Sequence, residues 1–358
     1  MAGPPSFHPP VLRRWVPLLA LAAAVGTCVL PARRRDAALA PVARPAGVRV
    51  VRVGLVFDVG GRGDKSFNDM AYAGLVRARA ELGARVEYVE PADADDRVAA
   101  MRLFAARGFD VVIGVGYMFS RDVDDVARDY PHVRFACVDY APPDAGTVGR
   151  NVVGLRFREE EGAYLVGAAA ALTSRSHMVG FVGGMDIPLI RKFERGYRAG
   201  VAAVCDSCRV IAAYAGSTPN AFRDPARGEQ LATAQYGQGV DVIFHASGST
   251  GHGVFVAAQR LRRLAIGVDS DQYDEMPEVV LTSMIKRVDV AVFDTIRGIA
   301  RGQFDRGRAG IRVLGVSDGA IDYVRSGLHA RHLSPEVLQR VNSLRNDIAT
   351  GRLEVRSE

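Results

Sequence analysis

The stretch VRVGLVFDVGGRGDKSFND, residues 51–69, decides the fold class of this chain. It begins as an apolar, β-branched run that ends at Asp58, continues through a glycine-rich turn, and reaches a polar cluster that starts at Asp64. An amphipathic helix follows, and its apolar residues recur at three- and four-residue steps: Ala71, Leu75, Ala78 and Leu82. A strand, a turn and a helix in this order predict a β-α unit of a parallel sheet.

The same alternation of apolar runs and amphipathic stretches continues along the chain. The predicted strands are residues 48–58, 85–90, 110–116, 133–139, 151–157, 177–182, 209–214, 240–246, 264–269, 279–286 and 311–316. So many strands exceed what one doubly wound sheet holds comfortably, so the pattern predicts an α/β protein of two lobes. Because the sequence has no Pro- or Ser-rich linker, we expect hinged lobes joined through extended segments at residues 151–157, 282–286 and 312–317.

The composition is that of an ordinary folded protein, with 48% hydrophobic and 24% charged residues. The net charge is +6, but the arginines are scattered and form no dense run interleaved with aromatics, so nucleic-acid binding is not expected. Of the 46 basic residues, only Lys65, Lys192 and Lys286 are lysines. A lysine kept against this bias indicates a place that needs a compact ammonium group, although chance retention is an equal alternative.

The N-terminus has the pattern of an export signal. Arg13 and Arg14 precede an apolar stretch that continues to Leu30, and Ala- and Pro-rich sequence follows. We therefore expect an extracytoplasmic protein whose residues 1–47 are leader and linker. Cys28 ends the Ala-rich run, where a bacterial lipoprotein carries its lipidated cysteine, and the alternative is a plain cleaved signal.

Cys205 and Cys208 form a C-x-x-C pair between a predicted helix and a predicted strand. Two thiols cannot complete a zinc site without nearby partners, and an exported context favours a local disulfide, with free thiols as the alternative. His245 and His252 lack the spacing of a metal pair, so packed or solvated histidines are expected and no metal site is predicted.

Acidic residues follow several predicted strands. Asp58, Asp139 and Asp269 each end an apolar run, and ligands of parallel sheets bind outside the carboxyl ends of the strands. A carboxylate there can accept both hydroxyl groups of a sugar diol, whereas a single Asp would more often be a helix cap or turn residue. The glycine-rich stretch around Gly248 offers N–H donors at a helix start.

Cofactor and catalytic motifs are missing from the sequence. The glycine-rich stretches match neither phosphate-loop nor dinucleotide spacing, so no cofactor is expected. The sequence has no G-x-S-x-G elbow, no H-E-x-x-H and no recognisable cysteine nucleophile, so an enzyme is not expected. A hydrolase that uses the Asp cluster for acid/base chemistry remains the less favoured alternative.

These segments resemble the basic membrane protein family of bacterial ABC-transporter lipoproteins, also called PnrA-like purine nucleoside receptors. The resemblance covers residues 48–319. It rests on ordered blocks at residues 54–58, 64–68, 157–162, 180–186, 248–251, 266–272 and 281–286.

The resemblance implies a type I periplasmic-binding fold, in which two lobes, each a parallel sheet flanked by helices, are joined by three hinge crossovers. Lobe 1 is then residues 48–156 plus 284–312, and lobe 2 is residues 157–283 plus 313–358. The implied protein is a monomer that binds a nucleoside, with a purine nucleoside favoured, and delivers it to an ABC permease and ATPase. A sensor of the same fold that signals to a membrane partner is the alternative.

The resemblance also implies roles for eight residues. Phe67 and Phe193 match the aromatics that stack on the base. Asp58 and Asn68 match the polar contacts near the base. The residues that match the contacts around the ribose are Asp139, Gly248, Asp269 and Lys286.

Overall fold

The computed structural model of the protein describes residues 1, 3, 49–92, 94–141, 148–304 and 310–356. The strands in these ranges are β1 (Arg52–Val56), β2 (Arg85–Val89), β3 (Val111–Val115), β4 (Arg134–Val138), β5 (Val152–Phe157), β6 (Met178–Met185), β7 (Arg209–Gly216), β8 (Val242–Ala246), β9 (Leu264–Asp269), β10 (Val280–Lys286), β11 (Gly310–Leu314) and β12 (Ile321–Tyr323). The α-helices are α1 (Phe67–Leu82), α2 (Ala94–Ala106), α3 (Phe119–Asp129), α4 (Glu159–Thr173), α5 (Pro188–Ala202), α6 (Pro225–Gly237), α7 (Thr250–Leu261), α8 (Val288–Ala300) and α9 (Pro335–Ala349).

The described strands form two sheets of six, each with the same arrangement. The first sheet has the order β11-β5-β4-β3-β1-β2, and the second has the order β12-β10-β9-β8-β6-β7. The first is parallel throughout, whereas β12 in the second runs antiparallel to β10. Because both sheets follow one topology, β4 corresponds to β9 and β3 to β8. The carboxyl ends of corresponding strands therefore occupy equivalent places in the two lobes.

The inner strands are buried on both faces, as a parallel sheet covered by helices requires. Every residue of β3 and of β8 is buried. This burial explains why their sequences are almost entirely apolar. Strands lie at all eleven places where the sequence predicted them. β12 was missed, because its three residues form too short a run to give a strand pattern.

The chain passes from one sheet to the other at three places in the described ranges. It leaves the first sheet at Phe157, returns after Lys286, and leaves again after Leu314. The boundaries expected before residues 157, 284 and 313 fall inside β5, β10 and β11, so residues 284–286 belong to the second sheet and residues 313–314 to the first. An apolar pattern shows where a strand lies but not which sheet it joins.

Helices α4 and α5 pack closely in the second lobe. A Cβ atom built at Gly200 would lie 1.9 Å from the backbone oxygen of Tyr164, and one built at Gly196 would lie 2.3 Å from that of Glu160. Only glycine allows backbones to approach so closely. This packing fixes the first turn of α4, where Glu159 is buried, beside the carboxyl ends of the strands.

Candidate functional site

A cavity lies where the carboxyl ends of the two sheets face each other, and its empty space, including the part open to solvent, is about 720 Å³. All eight residues that the sequence singled out for ligand binding line this cavity. They are Asp58, Phe67, Asn68, Asp139, Phe193, Gly248, Asp269 and Lys286. The structure therefore brings together residues that are more than 200 positions apart in the chain.

Asp139 and Asp269 occupy equivalent positions in the two lobes. Asp139 directly follows β4, and Asp269 is the last residue of the corresponding strand β9. Both have left-handed backbone conformations, with φ of 60° and 67°. Such conformations are unfavourable for residues other than glycine, and they concentrate at functional sites. Both carboxyl groups are buried.

Lys286, the last residue of β10, is the buried cation of the cavity. Its Nζ lies 2.6 Å from Oδ1 of Asp139 and 3.0 Å from Oε1 of Glu159. Glu159 in turn lies 2.7 Å from Nζ of Lys192, which also donates a 2.5 Å hydrogen bond to the backbone oxygen of Phe157 at the first crossing. The ion-pair network thus joins the cavity to the segment that links the lobes.

Two of the three lysines fit the expectation of a compact ammonium group in a confined place. Lys286 and Lys192 each pair with carboxylates in the network, whereas Lys65 is exposed. Glu159 was not singled out from the sequence, although it lies in one of the blocks that carry the resemblance. Its partner Lys286 is far away in the sequence, so no local spacing could reveal the pair.

Burial changes the protonation of the cavity acids. It raises the pKa of Asp58 and that of Asp139 to about 6, and it raises the pKa of Asp269 to about 7. The positive charge of Lys286 lowers the pKa of Asp139 and of Asp269 and so offsets part of the effect of burial. For Glu159, burial alone would raise the pKa, but Lys286 and Lys192 together lower it. The cavity therefore holds carboxyl groups that titrate close to neutral pH beside a carboxylate that stays ionised.

Aromatic rings from both lobes surround the ammonium group. Nζ of Lys286 lies 5.1 Å from the ring centre of Phe67 in the first lobe and 5.7 Å from that of Phe193 in the second. Phe193 also packs against Phe244 in the core. The two rings give the cavity apolar walls on opposite lobes, close to its charged groups.

The start of α1 is held by a buried carboxylate. Asp64 accepts hydrogen bonds from the backbone N–H groups of Ser66 and Asn68 at 2.9 Å each, and from Nδ2 of Asn68 at 3.1 Å. Oδ1 of Asn68 accepts a hydrogen bond from the backbone N–H of Asp58. These bonds fix the orientation of the Asn68 amide toward the cavity. Asp64 therefore supports the site by capping a helix, as acidic residues at helix starts commonly do.

Glycine makes room for the Asp58 side chain. A Cβ atom at Gly116 would lie 2.2 Å from Oδ2 of Asp58, and Gly116 has φ of 119°. Both the space and the backbone conformation therefore require glycine after β3. In the second lobe, Gly248 follows the corresponding strand β8 and also has a positive φ, of 55°.

Serine side chains make hydrogen bonds directly between the lobes beside the cavity. Ser66 Oγ donates to Oδ2 of Asp269 over 2.7 Å, and Ser270 Oγ donates to the backbone oxygen of Lys65 over 2.6 Å. Ser66 lies in the polar cluster that starts at Asp64, but the sequence did not indicate it as a site residue. Its role depends on the partner lobe, which the sequence around it does not show.

The remaining candidate residues lie outside the cavity lining. Cys205 and Cys208 are joined by a disulfide bond between α5 and β7. His245 is buried, and burial lowers its pKa to about 4, so the ring is neutral. Its Nε2 lies 3.1 Å from Oε1 of Gln272, as expected for a packed histidine. Cys28, the candidate lipidation site, lies outside the described residues.

Two lobes with one strand order, three crossings between them and a cavity at the facing strand ends define a type I solute-binding protein. The profile of the family described as ABC transporter substrate-binding protein, PnrA-like, matches residues 51–358. The chain belongs to this family, so the resemblance drawn from the sequence blocks is confirmed. Among the helices that the structure describes, none is long and apolar enough to cross a membrane.

Individual relatives agree with the family assignment. An uncharacterised lipoprotein of Pyrococcus furiosus is 36% identical over 76% of this chain and 70% of its own length. An ABC transporter nucleoside-binding protein of Lactococcus lactis is 30% identical over 86% of this chain and 90% of its own length. The solved structure of an ABC transporter solute-binding protein from Aeropyrum pernix K1 has a TM-score of 0.77 at 28% identity, covering 86% of this chain and 94% of that one.

Proposed function

We propose that the protein binds a nucleoside between its lobes and delivers it to the permease and ATPase of an ABC importer. The observation that carries the proposal is the pairing, in one cavity between the lobes, of two phenylalanine rings with buried carboxylates from both lobes. A nucleoside has a flat ring to place between apolar walls and a diol to donate hydrogen bonds.

The ribose is assigned to the carboxylates of Asp139 and Asp269, with Lys286 beside them. Ionised carboxylates are strong acceptors of hydroxyl hydrogen bonds, and the ammonium group can donate to a ribose oxygen. A ligand without the diol would leave these buried groups without partners, which costs far more than an apolar mismatch. This arrangement therefore supports selection for a ribonucleoside over a free base.

The base is assigned to the space between Phe67 and Phe193. Stacking on an aromatic side chain contributes about 1–3 kcal/mol per base and discriminates weakly among bases. Discrimination would then come from Asp58 and Asn68, because a carboxylate and an oriented amide can match the donors and acceptors of a base edge. The raised pKa of Asp58, about 6, makes its acceptor strength dependent on pH.

The charge of the cavity supports a neutral ligand. Asp58, Asp64, Asp139 and Asp269 line it together with one cation, Lys286. A phosphate group would meet several carboxylates at close range in a buried place, where like charges repel strongly. We therefore expect nucleosides to bind and nucleoside monophosphates to be rejected.

Binding without turnover is part of the proposal. Asp139 pairs with Lys286, Asp269 accepts a hydrogen bond from Ser66, and the family consists of substrate-binding proteins. We infer that the protein acts outside the cytoplasm, since relatives carry the name lipoprotein and the N-terminal sequence has the pattern of an export signal. The ligand should be recovered chemically unchanged after release.

Titration calorimetry against a panel of ligands tests the proposal. The panel contains ribonucleosides, deoxynucleosides lacking the 2′- or 3′-hydroxyl, free bases, ribose and nucleoside monophosphates. We expect binding of a ribonucleoside, and its loss in Asp139→Ala and in Asp269→Ala with an unchanged fold. Asp186→Ala is the matched control, because Asp186 is exposed and pairs with Arg191 outside the cavity lining. The absence of binding by every nucleoside, or release of free base, would refute the proposal.

A further inference from the structure

A second cluster of chemically reactive side chains lies at the end of the second sheet that is opposite to the ligand cavity. His177 directly precedes β6, and Cys205 and Cys208 precede β7. These two strands are parallel neighbours that begin side by side, with Met178 opposite Arg209. The three side chains therefore meet at the amino ends of the strands, whereas the ligand cavity lies at the carboxyl ends.

The donor atoms of this cluster are close together. Nδ1 of His177 lies 3.7 Å from Sγ of Cys205 and 3.9 Å from Sγ of Cys208. All three donor atoms lie within 4.8 Å of one another. Oγ of Ser207, between the cysteines, lies 3.0 Å from the same histidine nitrogen. His177 is exposed and the cysteines are partly buried, so the cluster is accessible to small solutes.

Both loops that carry the cluster are anchored independently of the disulfide. Asp241 accepts hydrogen bonds from the backbone N–H groups of Arg175 and Ser176 at 2.7 and 2.9 Å, just before His177. The backbone N–H of Cys205 donates to the oxygen of Val201, which continues the turn of α5. Breaking the disulfide would therefore leave the thiols and the imidazole near their present positions.

We propose that His177, Cys205 and Cys208 form a redox-gated site for a soft divalent cation of the Zn²⁺ type. In the disulfide form the sulfur atoms are bonded to each other and offer no thiolate ligands. A dithiol reductant supplies two electrons and two protons, so that the disulfide becomes two thiols while the reductant becomes a disulfide. Binding of the cation then displaces the two thiol protons, which pass to solvent.

The donor set determines the class of metal. Two thiolates and one imidazole form a set that suits Zn²⁺ and other soft cations and is poor for Mg²⁺ or Ca²⁺. Three protein ligands leave a fourth tetrahedral position for water, as in zinc sites that are not closed. Ser207 is placed to hydrogen-bond that water, because its present partner, Nδ1 of His177, becomes a metal ligand. The sequence alone could not identify this set, because His177 lies 28 residues before Cys205.

Zinc titration of the full protein before and after reduction tests the proposal. The reductant is a phosphine, since a dithiol would chelate the metal, and its removal precedes the titration under anaerobic conditions. We expect the reduced protein to bind one Zn²⁺ per chain in competition with a chromophoric chelator, at least tenfold more tightly than the oxidised protein. Co²⁺ in place of Zn²⁺ should give a thiolate charge-transfer absorption band.

Variants separate this site from other zinc contacts. Cys205→Ser should abolish the response to reduction, and His177→Ala should weaken zinc binding at least tenfold. His252→Ala is the matched control, because His252 is exposed on the same lobe and pairs with Glu275 instead. Nucleoside binding should stay unchanged in all three. Equal zinc binding by the oxidised and reduced proteins, binding that survives Cys205→Ser, or a disulfide that resists the phosphine would each overturn the proposal.

Discussion

Ser66 of the first lobe donates a 2.7 Å hydrogen bond to the carboxylate of Asp269 in the second lobe. This bond joins the start of α1 directly to the end of β9 across the edge of the cavity. Asp269 is also one of the groups assigned to the ribose. The contact that brings the lobes together therefore involves the same carboxylate as the proposed ligand contact.

Substitution of Ser66 should weaken ligand binding because it destabilises the arrangement in which the two lobes are closed on each other. Ser66→Ala removes a hydrogen bond to a charged group, which contributes about 1.5–3 kcal/mol when buried. We expect nucleoside affinity to fall roughly tenfold or more and the radius of gyration in solution scattering to increase. Ser343→Ala serves as the control, since Ser343 is exposed on α9, away from the three crossings. Unchanged affinity and unchanged scattering in Ser66→Ala would show that the bond does not hold the lobes together.

Asp269 should also make stability depend on pH. Its pKa is raised to about 7 in the folded protein, mainly by burial, against an ordinary value near 3.8. The folded state therefore holds this proton more tightly than the unfolded state does. The resulting stability is fully present below about pH 4 and is lost as the pH rises toward 7.

Chemical unfolding at several pH values measures this effect without ligand. Asp269→Asn mimics the neutral carboxyl, so the stability of the native protein relative to the variant should fall between about pH 4 and pH 7 and then level off. The comparison with the variant removes the contributions of Asp58 and Asp139, whose pKa values are also raised. A constant difference across this range would contradict the assigned shift.

Loss of the Lys286 ammonium group should destabilise the fold. Lys286→Met leaves the carboxylates of Asp139 and Glu159 buried without their shared cation, and such losses typically cost about 3–5 kcal/mol. Urea denaturation should show this decrease, with partial recovery in the double variant Lys286→Met with Asp139→Asn. Lys65→Met, at an exposed position, should change stability by less than about 0.5 kcal/mol. Equal effects of the two single variants would contradict the network.

The two aromatic walls should contribute separately to affinity. Phe67→Ala should weaken nucleoside binding by roughly 5- to 150-fold, which corresponds to about 1–3 kcal/mol of stacking. Phe193 is also part of the core, so Phe193→Leu tests it with less loss of packing. Phe109→Leu, in a core cluster of the first lobe outside the cavity lining, should cost similar stability with no change in affinity. Calorimetry that gives equal affinity for all three variants would exclude stacking.

The sequence predicted the strands well because most of them are buried on both faces. An inner strand of a parallel sheet needs apolar residues throughout, and such a run is visible without any partner. β12 escaped prediction because it has three residues and owes its place to pairing with β10. The sequence also does not show to which sheet the ends of β10 and β11 belong, since Lys286 and Leu314 end strands whose sheet is determined by distant neighbours.

A single topological rule was sufficient to predict which strand ends lie together at the cavity. Asp58, Asp139 and Asp269 lie at strand ends that a two-lobed α/β fold directs into one cleft. Glu159 and Ser66 were not selected, because their importance lies in partners more than 100 residues away, Lys286 and Asp269. Long-range pairs of this kind leave no periodicity in the sequence. The Cys205–His177 contact was missed for the same reason.

The close packing of α4 against α5 should make the stability of the fold sensitive to a side chain at Gly200. Gly200→Ala would place a methyl group 1.9 Å from the backbone oxygen of Tyr164, so the helices must separate. Overpacking of this kind typically costs about 1–3 kcal/mol. Gly237→Ala is the matched control, because among the described residues nothing lies within 4 Å of a Cβ built there at the end of α6. That variant should be neutral or up to about 1 kcal/mol more stable, since alanine favours the helix.

Urea denaturation of both variants should therefore give changes of opposite sign or clearly unequal size. Similar changes would mean that α4 and α5 are farther apart than the structure places them, and the position of Glu159 beside the cavity would then need revision.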